Sequence, residues 1–193
     1  LTKDEYKGLY QLHNLGGGTA KTVFASIISR YQDPDGDLGI SDEGWEIAAK
    51  FLGNAHNIAD GEDAVGSMIN GTYPMDEHWA SGVLTEQKDR DYKFQIMTPD
   101  IGEPYVVESL AISAGTKKYD TCVAFLNWLG SSDVQLDWSN NYGTIPCQKE
   151  ALAQVSDDIK ELMETLKPQD LDWSFIAENV DAWVEKAELE YVQ

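Results

Sequence analysis

Helical stripes punctuated by short β-branched runs set the tightest limit on what this chain can fold into. Ala20, Val23, Phe24, Ile27, Ile28 and Tyr31 recur at helical spacing behind Gly16-Gly17-Gly18, which predicts a helix of about three turns with Thr19 as its N-cap. Ser41 caps a second helix whose apolar face carries Trp45, Ala48, Phe51 and Leu52, and a third, short one runs from about Asp63 to Asn70 and stops at Gly71. Strand signals follow near Thr72 to Met75, Phe94 to Met97 and, between Pro104 and Gly115, Tyr105 to Ile112. Further helices are expected from about Lys118 to Leu129, from Ser132, from Asp157 to Leu166 and from about Asp172, the last with Trp173, Ile176, Val180, Trp183, Val184 and Ala187 inward. Helices interleaved with short strands make an α/β chain, a mixed sheet flanked by helices.

Size and charge narrow the function. A length of 193 residues suits one ordinary domain or two small lobes. The 34 acidic against 14 basic side chains leave a net charge of −20, which excludes a surface built to neutralise phosphates, so no nucleic-acid partner is expected. At 42% hydrophobic and 10% aromatic residues the chain is too apolar for a disordered acidic tail. It opens without Met and without a basic-then-apolar leader, and reads like the interior of a longer protein. Cys122 and Cys147 match no metal-binding spacing and stand either as one disulfide or as two inert thiols.

Chemistry-bearing motifs are few. The Gly16 to Thr22 stretch lacks the glycines and the Gly-Lys step of a phosphate loop, but it offers backbone donors at a helix start. Asp33, Asp35 and Asp37 have the alternate spacing of a calcium loop, while Leu38 and Gly44 stand where that loop needs its turn glycine and its bidentate Glu. A solvated acidic turn is the simpler reading, and a calcium-dependent interaction module the alternative. His13, His56 and His78 sit on unlike elements without metal-ligand spacing, so each reads as a lone histidine, and no metal site or cofactor is expected. No HExxH, GxSxG or CxxC occurs, which leaves a hydrolase without a recognisable nucleophile and base, and an enzyme is not expected. Trp45, Trp128, Trp173 and Trp183 fall on apolar helix faces and are expected in the core; Trp79, beside Ser81-Gly82, can face a cleft.

Read in order, several segments resemble the second half of the solute-binding proteins of ABC importers, in the branch with polyamine- and iron-binding members. They are Gly61-Glu62-Asp63-Ala64-Val65 through Ile69-Asn70-Gly71 to His78-Trp79-Ala80-Ser81-Gly82; Glu108-Ser109-Leu110-Ala111-Ile112-Ser113-Ala114-Gly115; Ala124-Phe125-Leu126-Asn127-Trp128-Leu129; Ser132-Asp133-Val134-Gln135; and Tyr142-Gly143-Thr144-Ile145-Pro146. Leu171-Asp172-Trp173 to Trp183-Val184-Glu185-Lys186 resembles the closing helix, and Leu1 to Tyr10 the segment after the first hinge crossing. The resemblance implies a type 2 periplasmic-binding fold: 1–106 and 150–193 as the second lobe, 107–149 as a return through a first lobe mostly outside this chain.

It further implies a non-enzymatic extracytoplasmic receptor, periplasmic or lipid-anchored, that passes a small solute to ABC permease subunits. Trp79 matches the position whose ring stacks on a polyamine, and Glu108 the acid that pairs with its ammonium, which is cation–π and charge-assisted chemistry. Asn14, Gly18, Thr19, Ser81 and Tyr105 would complete the lining. Val106 stands where polyamine binders place a Trp, and no adjacent Tyr pair exists for ferric ion, so a sugar or phosphonate stays open. Self-association through the uncovered 107–149 segment is also expected.

Overall fold

In a computed structural model, which describes residues 1–192, the chain forms two compact units: Leu1–His78 with the stretch from Asp170 onward, and Trp79–Gln169. The units break elsewhere than at the expected lobe boundaries of 106/107 and 149/150.

The first unit is built on a three-stranded parallel sheet in the order β3-β1-β4, with β1 Tyr10–Leu12 in the centre. Helix α1 (Gly18–Ile28), strand β2 (Gln32–Asp37) and helix α2 (Asp42–Asn54) carry the chain from β1 to β3 (His56–Asn57). Helix α3 (Ala64–Asn70) then leads to β4 (Met75–Asp76) on the far side of β1. Parallel neighbours require such helical crossovers, and all three residues of β1 are buried because helices cover both faces. The core gathers Tyr10, Leu12, Phe24, Ile28, Ile40, Trp45, Phe51 and Leu52 with Ile176, Trp183, Val184 and Ala187 of the closing helix, numbered α9 below.

Local chemistry explains the element ends. The Ser41 hydroxyl accepts from Gly44 N–H at the start of α2, as its sequence implies, and Asp63 does the same for Gly66 at α3. Helix α1 starts two residues earlier than predicted: Gly17, not Thr19, is its N-cap, because Gly17 N–H is held by the Asn14 carbonyl and turns the chain there. The acidic segment predicted as a turn is extended: β2 folds back through Leu38 and Gly39, both at positive φ, so that Ile40 bridges to Gln32 and Asp37. Its three aspartates therefore spread along a strand and do not converge as a calcium loop would require. The Asp37 carboxylate instead meets the Lys186 ammonium at 3.2 Å.

The second unit contains α4 (Ala80–Arg90), α5 (Tyr119–Leu129), α6 (Ser132–Tyr142), α7 (Lys149–Leu152) and α8 (Asp157–Thr165). Its small interior uses Ala151, Val155, Ile159 and Leu162, and Ser139 Oγ–H closes the return by donating to the Thr144 carbonyl. The strands expected at 94–97 and 105–112 are absent: both stretches are irregular, and 105–110 is exposed, since no described strand offers them a ladder. α5 buries none of its residues, and Trp128 is 55% exposed, so this tryptophan is surface, not core. In the first unit α9 (Trp173–Glu190) buries Trp183, but Trp173 lies in its first turn and is 42% exposed, a second departure from the expected core. Cys122 and Cys147 are both free thiols. Among the described residues no helix is long and apolar enough to cross a membrane.

Candidate functional site

The residues named from the sequence divide between the units. Asn14, Gly18 and Thr19 lie in the β1–α1 connection of the first unit; Trp79, Ser81, Tyr105 and Glu108 lie in the second. Asn14 is spent partly on its own turn, its Oδ1 accepting from Gly16 N–H at 2.7 Å and its carbonyl from Gly17 N–H at 2.8 Å. Trp79 precedes the first turn of α4 with its ring 54% exposed, and Ser81 is half-buried in that turn. Tyr105 and Glu108 are exposed on the irregular stretch.

What the fold gathers most closely is a group of side chains read singly in the sequence. The register Tyr10↔Met75 and Gln11↔Asp76 places His13 and His78 opposite each other just past the carboxyl ends of β1 and β4. Extended chain alternates faces, so Gln11, His13, Asp76 and His78 project to the same side. The His13 and His78 rings stand 6.3 Å apart between centroids, and His13 Nε2 is 3.9 Å from Asp76 Oδ2. Glu77, between the two, accepts a hydrogen bond from His13 N–H at 3.3 Å, which ties the end of β4 to that of β1. The carboxyl ends of parallel strands are where open α/β sheets bind ligands.

The electrostatics of this corner are unusual. The Asp76 side chain is 1% exposed, and neither of its oxygens, nor Glu77 Oε2, nor His13 Nε2 meets a well-formed hydrogen-bond partner. Burial raises the Asp76 carboxyl above the ordinary carboxylate range, with His13 opposing the shift, and pushes Glu77 up to about 7, with the neighbouring Asp76 charge adding to it. Such groups are costly unless something cationic completes them. One ligand atom each from His13, Asp76 and His78 fits within a 4.8 Å span, and this is the single grouping of that kind among the described residues. His56 is different: its Nε2 meets Glu62 Oε2 at 2.9 Å and its ring stacks on Tyr73 at 4.1 Å, so it is a satisfied structural histidine. Sequence reasoning missed the His13/His78 pair because its signal is the parallel register, which brings together residues 65 positions apart.

Comparison with known proteins places these features in context. Residues 1–167 match the family described as bacterial extracellular solute-binding protein. A protein of Sinorhizobium fredii (strain NBRC 101917 / NGR234), described as the probable ABC transporter periplasmic-binding protein y4fP, is 34% identical over 193 residues, covering 100% of this chain and 53% of that protein. The solved structure of a ferric binding protein from Campylobacter jejuni superposes with a TM-score of 0.73 at 21% identity, over 98% of this chain and 60% of that one. The chain thus spans about half the length of the curated relative it matches, and the structural likeness shows the periplasmic-binding fold.

Proposed function

The chain belongs to the bacterial extracellular solute-binding proteins, and from that premise we propose that it forms part of the receptor of an ABC importer, which holds a cationic solute outside the cytoplasm and delivers it to the permease. Its work is binding, not bond chemistry. The observation that carries the cationic reading is the pair of buried carboxylates, Asp76 and Glu77, set beside two imidazoles at the ends of parallel strands. The net charge of −20 supports it by drawing cations towards the surface. A second reading, an organic amine stacked on Trp79 and paired with Glu108, is favoured by the exposed Trp79 ring. Exposed Phe125 and Trp128 support association of α5 with the first lobe of a longer protein, or with a second copy where that lobe is missing.

The receptor reading is tested by adding the full-length protein, purified from its own cells, to its permease in proteoliposomes. Stimulation of ATP hydrolysis from the extracytoplasmic side is expected, and a permease indifferent to the protein contradicts the reading. For the amine reading, Trp79→Ala should weaken putrescine binding at least tenfold; unchanged binding removes it.

A further inference from the structure

We propose that His13, Asp76 and His78 together bind one divalent first-row transition-metal cation, with the Glu77 carboxylate beside them balancing its charge. The inference rests on the receptor reading only in making that ion the cargo; the binding site itself is read from this corner of the fold.

Three independent features point to a metal. The first is convergence: the candidate ligand atoms lie within 4.8 Å of one another, whereas ligands about 2.1 Å from a shared ion sit roughly 3.4 Å apart. A contraction of at most about 1.4 Å, within the reach of side-chain rotation, therefore closes the shell. The second is desolvation with little compensation. His13 Nε2, both Asp76 oxygens and Glu77 Oε2 are sealed from water without a well-formed hydrogen bond, Asp76 having only the weak help of Gln11 and the Glu77 N–H, whereas His56, the other histidine of the first unit, has its Glu62. A bare 3.9 Å between His13 and Asp76 is too long for a hydrogen bond, so a simple imidazolium–carboxylate pair leaves the carboxylate unsatisfied. The third is charge: as ligands to an ion, two imidazole nitrogens and the deprotonated forms of the two carboxyls offer −2, which one divalent ion cancels. Imidazole nitrogens with a carboxylate oxygen favour zinc, cobalt, nickel or ferrous ion over calcium and magnesium, which prefer all-oxygen shells.

The site differs from a structural zinc knot because it is made of strand ends and lacks cysteine. With three protein ligands it leaves a coordination position open, which suits an ion that must also be released.

Zn²⁺ and Co²⁺ titrations of the metal-stripped protein, followed by calorimetry and by the visible d–d absorption of Co²⁺, test the proposal. One ion per chain is expected, with a spectrum indicating mixed nitrogen and oxygen ligation. His13→Ala and Asp76→Asn should each weaken binding at least ~100-fold, more than loss of a supporting residue around a metal costs. His56→Ala should leave it unchanged. Asp76→Asn keeps the size of the side chain, so the far-UV circular dichroism of the metal-free variant should match that of the wild type; lost binding in a protein so folded is lost ligation, not misfolding. No saturable binding, or equal binding by wild type, His13→Ala and Asp76→Asn, overturns the proposal, as does competition in which putrescine binds and neither metal does. If the metal binds as described but the loaded full-length protein fails to stimulate the permease, the receptor reading fails and the site stands. If the permease responds while no metal binds, the reverse holds.

Discussion

Trp183→Phe is the sharpest test of how the first unit is held together. The indole is fully buried, packs against Phe175 at 5.3 Å between ring centroids, and donates its N–H to the Leu38 carbonyl at 2.9 Å. That bond joins α9 to the reversal after β2, 145 positions away, so it bears on the docking of the chain's last helix. Replacing indole by phenyl removes about two carbons' worth of burial, at ~0.8 kcal/mol each, and one hydrogen bond worth about 1 kcal/mol, a total near 2.5 kcal/mol. For a cooperative unit of about a hundred residues this lowers the melting temperature by roughly 10 to 20 °C. The assay is urea unfolding followed by far-UV circular dichroism, which does not depend on the removed fluorophore. Trp173→Phe, on the same helix but exposed, is the control and should change stability by no more than about 0.5 kcal/mol. Equal effects of the two substitutions refute the burial argument.

Other predictions follow from single contacts. Asp172→Ala removes the side chain that accepts from Ser174 and Phe175 N–H, both at 3.1 Å, and should cost about 1 kcal/mol in urea unfolding. Gly102 has φ +86°, and a Cβ there would meet the Lys167 carbonyl at 2.3 Å, so Gly102→Ala should speed hydrogen exchange at Glu103 and Gln169, whose amides close that bridge; Gly61→Ala, at the same φ in open surroundings, should leave these amides alone. The Lys186 ammonium meets Glu190 at 2.7 Å and Asp37 at 3.2 Å. Its hydrogen bond lowers the Glu190 carboxyl below its usual 4.5 and, from the other side, raises Lys186 above 10.5. The stability gained is therefore present between about pH 4.5 and 10.5, disappearing as pH falls through the lowered carboxyl or rises through the raised amine. The melting-temperature gap between wild type and Lys186→Met should be widest at neutral pH and narrow towards pH 3.

How much was legible in the sequence depended on whether the signal was local. Helices α1, α2, α3, α5 and α9 were readable because periodicity, caps such as Ser41, and stops such as Gly71 all lie within a few residues of one another. Whether an apolar face is covered is a tertiary fact: α5 carries as clear a stripe as α9, yet among the described residues it buries none of its own while α9 buries Ile176, Trp183, Val184 and Ala187. The Tyr105 to Ile112 run is a tertiary matter too, since among the described residues no strand offers its β-branched composition a ladder. Trp79 was singled out for its flanking residues and does lie exposed. The cluster at the strand ends was illegible, since nothing local to His13 announces His78; only the pairing of Gln11 with Asp76 brings them together. A histidine weighed alone is bland, and two made neighbours by register, with a buried aspartate, are not.

Native mass spectrometry of the full-length protein, isolated from its own cells without chelator, tests the central claim most directly. The account predicts a mass increment of one divalent transition-metal ion per chain, removed by chelation and absent from the His13→Ala protein. An organic solute in its place, or a metal increment that survives His13→Ala and Asp76→Asn unchanged, contradicts it.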